Sequence, residues 1–342
     1  MEAYAITRIC NLTRDDTPLV RIDMPDPEPS DGQVLVRVKA CGVCHTELDE
    51  IEGRTPPSFF PMIPGHQVVG VVAGMGKGTR RFAVGDRVGI GWIFQACGTC
   101  HWCRRGLENL CPDFMATGRD AHGGYARYMT VHEDFAHPIP PAFSDTEAAP
   151  LLCAGAIGLR SLRLARIEDG SRLGLTGFGA SAHLVLMTAV HLFPNTRVYV
   201  FARSQQEREF ALGLGAVWAG DTTDRSPEKL DAVIDTTPAW LPVVEAMANL
   251  APGGRLVINA IRKEHVDTRQ LLRIDYPAHL WMEKEVKSVA NVTRQDIAEF
   301  LDIASRIPLK PSVQTYSLGE ANRALADLKK RRIRGAKVLV VD

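Results

Sequence analysis

Four cysteines crowded between residues 97 and 111 constrain this chain more than any other feature: Cys97-x2-Cys100-x2-Cys103-x7-Cys111. Zn2+ takes four thiolates tetrahedrally, with Zn–S distances of ~2.3 Å. Cysteines three apart can curl a short loop so that their sulfurs point inward, and a fourth closes the cage. Gly98 and Gly106 supply the turn freedom such a loop needs. The competing reading is disulfides or chance clustering. Three cysteines at equal spacing pair poorly among themselves, and disulfides are rare in reducing compartments. The stretch 95–113 is therefore expected to form a closed structural zinc lobe.

The lobe sits inside a region punctuated by glycine and proline and written in short apolar runs. Val34–Val38, Gln67–Val72 and Asp86–Ile90 read as strands. This is all-β writing, a small barrel or sandwich. The style changes near Pro150. Strands are expected at Ser171–Thr176, Arg197–Phe201, Ala232–Asp235, Arg255–Asn259 and Glu285–Ala290. Helices are expected at Ala180–Leu192 and Ser204–Leu214, with helical segments between most of the other strands. Such alternation means a parallel sheet with helices on both faces, an α/β doubly wound domain. Amphipathic helices at Gln295–Ser305 and Gly319–Lys330 and a strand at Val338–Val341 close the chain.

A length of 342 residues suggests two domains. Lys plus Arg and Asp plus Glu each number 40, so no basic excess points to nucleic acid or a membrane surface. No apolar run is expected to reach the ~18 residues of a membrane span. The acidic N-terminus lacks the apolar core of a signal peptide. A cytoplasmic protein is expected.

The turn after the strand ending at Thr176 reads Gly177-Phe178-Gly179-Ala180-Ser181-Ala182, fitting G-x-G-x-x-G/A between strand and helix. Gly177 permits the tight turn, Gly179 lets backbone approach a pyrophosphate, and the small Ala182 allows close packing. The helix N-terminus then faces the phosphates. The alternative is a glycine turn without a ligand. At the end of the next strand, Ala202 stands where an NAD-binding domain usually places an acid for the ribose 2′-hydroxyl. Arg203 and Ser204 follow. The missing carboxylate removes a repulsion, and Arg203 can hold a 2′-phosphate by a charge-assisted contact. NADP(H) is therefore favoured over NAD(H), unless Arg203 is merely solvated. Two further segments, Cys41–Glu47 and Ile63–Gln67, offer thiolate and imidazole for a second metal. Spacing alone is weak evidence, because Cys44 and His66 lie 22 residues apart in sequence.

Taken together, Cys41-Gly-Val-Cys-His-Thr-Glu-Leu48, Pro64-Gly-His-Gln-Val-Val-Gly70, Val84-Gly-Asp-Arg-Val88, the four-cysteine lobe and Gly177-x-Gly179 resemble the zinc-dependent medium-chain alcohol dehydrogenases over essentially the full length. The resemblance implies a GroES-like catalytic domain over 1–148, a Rossmann cofactor domain over 149–289 and a return to the first domain over 290–342, with the active site in the cleft between them. It assigns Cys44, His66 and Cys153 to a catalytic zinc, so that two Zn2+ are expected per chain. By the same resemblance Thr46 hydrogen-bonds the alcohol oxygen and starts a proton relay, His45 contacts the cofactor pyrophosphate, and Trp92 narrows the substrate pocket. Loops at Arg54–Phe60 and Asp113–Gly118 border the cleft, where Phe59, Phe60 and Met115 suit larger substrates. Cys41 would be packing, and Cys10 takes no role.

Three positions depart from the family pattern: Gln67 for Glu, Glu47 for Asp, and Asp49 for the His that passes the proton to solvent. The implied activity is reversible hydride transfer between NADP(H) and small primary alcohols or aldehydes, by a homodimer or homotetramer. The rivals are an aryl-alcohol or polyol dehydrogenase of the same fold, and a non-enzymatic zinc protein that kept the fold. A zinc-free quinone reductase of related fold needs neither cysteine set.

Overall fold

The strand Gln33–Val43 is the spine of the first folded unit, with Val34, Val36 and Val38 turned into the core in period two. The structure, a computed structural model, describes residues 1–330 and 335–341. Residues 331–334 and 342, which fall in the expected returning segment 290–342, lie outside the described residues. The chain forms two units: one comprises Met1–Ala156 and the segment from Val292 onward, the other Ile157–Asn291.

In the first unit a seven-stranded sheet runs in the order Val313–Ser317, Ala336–Val340, Gln33–Val43, Val68–Met75, Arg87–Ile90, Ala136–Pro138, and Tyr128–His132 also pairs with Gln33–Val43. All pairings are antiparallel except that of the first two strands. The expected strands 34–38, 67–72 and 86–90 are all present, the first two longer than read. The register of the central pair matters most. Cys41 lies opposite Val68, and the Gly42 N–H donates to the Gln67 carbonyl at 2.9 Å. Residues 44 and 66 therefore emerge side by side at one end of the ladder.

The second unit is a six-stranded parallel sheet in the order Trp218–Gly220, Arg197–Phe201, Arg172–Thr176, Leu230–Asp235, Leu250–Ile258, Glu285–Ser288. In order of appearance this is 3-2-1-4-5-6, the doubly wound arrangement. Both faces are covered. Leu173, Leu175, Val198, Val200, Ala232, Ile234 and Val257 pack with Ala180–Leu192 in one cluster, whereas Tyr199, Phe201, Val233 and Leu256 pack with Leu241–Asn249 in another. That explains why the strands read as continuous apolar runs. The last crossover carries no α-helix among the described residues: between Ile258 and Glu285 there are a 3-10 stretch, Thr268–Arg273, and a π-type turn, Tyr276–Leu280.

One expectation needs correcting. The helical run Asp145–Ala165 is long and apolar enough to pass for a membrane span, but 78% of its most apolar window is buried inside the protein. Burial in a protein core demands the same composition as burial in lipid, so the run reads as a core segment.

Candidate active site

Cys44, His66 and Cys153 converge although 22 and 87 residues separate them from His66 in sequence. Cys44 is the N-cap of the helix His45–Ile51, directly after the central strand, and the register of that strand delivers His66 beside it. Cys153 follows the 3-10 turn Ala149–Leu152 and precedes the helix Ala154–Ala165. Their candidate ligand atoms all lie within 4.8 Å of one another, with His66 Nε2 at 3.3 Å from Cys153 Sγ.

Glu47 ties this group together. It is fully buried. One carboxylate oxygen accepts the Cys44 N–H at 2.7 Å, and the other takes His66 Nδ1 at 2.6 Å. The departure from Asp to Glu thus keeps the orienting carboxylate. With Nδ1 occupied as donor, the Nε2 lone pair is left to face the sulfurs. A hydrogen bond from the Cys153 thiol holds Cys44 well below the ordinary thiol range, against burial and with help from His66. Cys153 is pushed up by the same bond and by burial. Two sulfurs and one imidazole at these separations fit a tetrahedral zinc, whose ligand-to-ligand edges are roughly 3.5–3.8 Å.

The lobe cysteines also form one group, again with ligand atoms mutually within 4.8 Å. Cys97 Sγ lies 3.5 Å from Cys111 Sγ and 3.9 Å from Cys103 Sγ, close to the edge of a four-sulfur tetrahedron built on ~2.3 Å bonds. N–H groups of Thr99 and Cys100 bring Cys97 down to about 6. Arg294, at the start of the helix Arg294–Arg306, anchors the lobe by donating its N–H to the buried Glu108 carboxylate at 2.9 Å.

Thr46 is buried, with its hydroxyl 3.7 Å from Cys44 Sγ. His45 opens the helix and faces solvent. Gln67 is buried against Gly42, where a Cβ would lie 2.6 Å from its side-chain oxygen. Asp49 is tied to Arg54 Nε at 2.5 Å, and burial raises it to about 6 in spite of that guanidinium. Trp92 packs on Phe114 with ring centroids 4.8 Å apart, and the Arg119 guanidinium lies over both rings. Sequence reasoning missed Arg119. It also missed Tyr125 and Glu50, buried, whose side-chain oxygens have no hydrogen-bond partner among the described residues. The i, i+3 repeat of Glu47 and Glu50 on a short helix was the available signal.

In the second unit Gly177 takes φ +75°, the left-handed region that favours glycine. A Cβ there would sit 2.8 Å from Thr237 Cγ2. Gly179 caps the helix Ala180–Leu192, and Ala182 is fully buried. At the strand ends on either side of the order reversal, Thr176 donates to Asp235 at 2.6 Å, and Lys263 pairs with the same buried Asp235. Arg203 is exposed, and no ion pair engages its guanidinium among the described residues. The Ser204 hydroxyl caps the helix Gln205–Gly213 by accepting the Glu207 N–H at 3.1 Å.

Comparison with known proteins gives this geometry a family. Residues 30–141 match the alcohol dehydrogenase GroES-like domain. The chain is 43% identical over 332 residues to a probable alcohol dehydrogenase, AdhA, of Mycobacterium tuberculosis, covering 96% of this chain and 94% of that protein. It is 33% identical over 326 residues to an alcohol dehydrogenase of Geobacillus stearothermophilus, covering 92% and 93%. Among solved structures, a cinnamyl alcohol dehydrogenase from Sorghum bicolor superposes with a TM-score of 0.85 at 28% identity, covering 99% of this chain and 97% of that one. The chain belongs to the zinc-dependent medium-chain alcohol dehydrogenase family.

Proposed function

We propose that this alcohol dehydrogenase holds a catalytic zinc with Cys44, His66 and Cys153 and a structural zinc with Cys97, Cys100, Cys103 and Cys111, and that it exchanges hydride between NADP(H) and small primary alcohols or aldehydes. The observation that carries the reading is the convergence of two sulfurs and an imidazole whose far nitrogen is already fixed by Glu47. When bound, zinc supplies a Lewis-acid charge for the substrate oxygen and the nicotinamide supplies the hydride acceptor or donor.

The chain's own residues do the rest. Glu47 sets the His66 tautomer and holds the Cys44 backbone. The Thr46 hydroxyl exchanges the proton of the substrate oxygen, and the indole of Trp92, braced by Phe114 and Arg119, narrows the space beside it. In the second unit, backbone N–H groups following Gly177 and Gly179 receive the pyrophosphate. Arg203, free of competing carboxylates, pairs with a 2′-phosphate. Ser204 contributes through its cap, which fixes the loop that carries Arg203.

The exposed Phe59 and Phe60 favour a second reading, an aryl-alcohol substrate, and likeness to the sorghum enzyme supports it. Initial rates from ethanol to hexanol and for benzyl and cinnamyl alcohols, each with NADP+ and NAD+, test both readings. Short alcohols with NADP+ should be fastest, and a clear NAD+ preference contradicts the cofactor assignment. The edge strand Glu285–Ser288 has no outer partner among the described residues and lies next in sequence to exposed Trp281 and Met282. An unpaired edge beside exposed Trp281 and Met282 supports assembly as a dimer or tetramer, which sedimentation would detect.

A further inference from the structure

The ion pair of Asp235 and Lys263 has no task in the scheme above. Asp235 ends the strand Leu230–Asp235 and is fully buried. Its carboxylate gathers three segments of the second unit. It accepts the Thr176 hydroxyl, at the end of the neighbouring strand, at 2.6 Å. It accepts the Thr237 hydroxyl, from its own loop, at 2.8 Å. It also accepts the Lys263 side chain, from the loop that follows Ile258. The same Lys263 nitrogen donates to the carbonyls of Thr237 at 2.7 Å and Ala239 at 3.1 Å. Backbone contacts repeat the link: Asn259 N–H donates to the Asp235 carbonyl and Glu264 N–H to the Pro238 carbonyl, each at 2.7 Å. The Asp267 carboxylate accepts the N–H groups of Trp240 and Leu241, each at 2.8 Å. The loops 236–240 and 259–267 are thereby fastened into one platform, with Lys263 between them.

The sheet order says what lies on this platform. The order reverses between Arg172–Thr176 and Leu230–Asp235, and a dinucleotide spans such a reversal at the carboxyl ends of the strands. Arg203, after the strand Arg197–Phe201, takes the adenosine half to one side. The nicotinamide half then falls to the other side, on the loops after Asp235 and Ile258. The glycine turn touches the platform directly: a Cβ on Gly177 would lie 2.8 Å from Thr237 Cγ2 and 3.2 Å from Thr236 Oγ1. Stability does not account for the ion pair, because well-packed apolar side chains of similar volume often serve a fold as well or better. What the pair does fix is the relative placement of the two loops.

We propose that Lys263, held by Asp235, is a positioning residue for hydride transfer: it sets the platform under the nicotinamide half of the cofactor and leaves the adenosine half to the glycine turn and Arg203. The pair itself exchanges neither proton nor electron with the substrate. Its effect is on the approach of the nicotinamide ring, where a misplacement of ~1 Å costs on the order of 10²-fold in rate. This inference rests on the dehydrogenase reading proposed above.

Lys263→Met alone strands a buried carboxylate and can unfold the unit, so the test uses the full-length double variant Asp235→Asn, Lys263→Met. Asparagine keeps an acceptor for Thr176 and Thr237 and removes the stranded charge. Three quantities are compared with the wild type: affinity for ADP by calorimetry, kcat for a primary alcohol with whichever of NADP+ and NAD+ the wild type uses faster, and the isotope effect on kcat when the reacting carbon carries deuterium. ADP carries the adenosine and the pyrophosphate without the nicotinamide, so its affinity should be unchanged. The kcat should fall on the order of 10²-fold, and the isotope effect should rise because hydride transfer becomes the slow step. A smaller pool of folded enzyme would lower kcat without raising the isotope effect, and that result overturns the proposal. So does loss of ADP binding together with turnover, which would make the pair a support of the whole unit, and so does a double variant with the wild-type kcat. A wild type that oxidises no alcohol with either cofactor overturns the dehydrogenase reading and this inference together, so the two failures are distinguishable.

Discussion

Replacing Glu47 by Gln changes one atom of a fully buried side chain and removes the charge that His66 leans on. The amide oxygen can still accept the Cys44 N–H, so the helix cap survives. The bond to His66 Nδ1, 2.6 Å in the wild type, loses its ionic partner. A buried hydrogen bond to a charged group is worth about 1.5–3 kcal/mol. Changes to the group that orients a metal-ligating histidine typically cost 10–100-fold in affinity, which is about 1.4–2.7 kcal/mol. The lobe cysteines, held by their own N–H···S contacts, do not touch Glu47. Titrating the protein with a chelator and counting the metal retained should therefore show two events in E47Q: one ion leaving at 10–100-fold lower chelator activity than in the wild type, with loss of turnover, and the other leaving where it did before. An unchanged first event would refute the role given to Glu47. So would simultaneous loss of both ions, because that would mean the substitution unfolded the unit.

Two further outcomes can be checked directly. Arg203→Asp should invert the ratio of NADPH to NADH rates, weakening NADPH by about 10–100-fold as one charge-assisted phosphate contact is lost; steady-state kinetics with both cofactors reads it. His137, buried in the strand Ala136–Pro138, is brought down to about 3 by burial and then by the charges of Arg81 and Arg294, against an ordinary 6.5. A depressed histidine supports the fold above pH 6.5 and withdraws that support as pH falls toward 3, which amounts to about 5 kcal/mol at ~1.4 kcal/mol per pH unit. Melting curves of His137→Gln should be less acid-sensitive in that window than those of the wild type, and parallel curves would contradict the assignment.

How far the sequence is legible follows the distance over which each feature is built. The four-cysteine lobe is local, and its spacing alone indicates a cage. The glycine turn is local too, and its strand and helix appear where the pattern places them. The ligand trio is different. Cys44 and His66 meet only because Cys41 pairs with Val68, a register no spacing reveals, and Cys153 sits at the break between the 3-10 turn Ala149–Leu152 and the helix Ala154–Ala165. Family resemblance supplied what periodicity could not. Glu50 left only its spacing from Glu47 as a signal: an acid on a short helix is normally solvent-facing, and the burial of Thr46–Ile51 turns it inward. Ser204, read as cofactor-binding, also caps the helix Gln205–Gly213, a local role its place before that helix already indicates. The run Asp145–Ala165 looked too broken to count as apolar because its composition had to be read over two helical segments and the turn between them.

The most direct test of the central claim is the metal content of the purified protein, measured for the wild type and for Cys153→Ser. The account predicts two zinc ions per chain in the wild type, and in C153S one ion with no turnover. A wild type holding a single ion, or a C153S variant that keeps both ions and full activity, would contradict it.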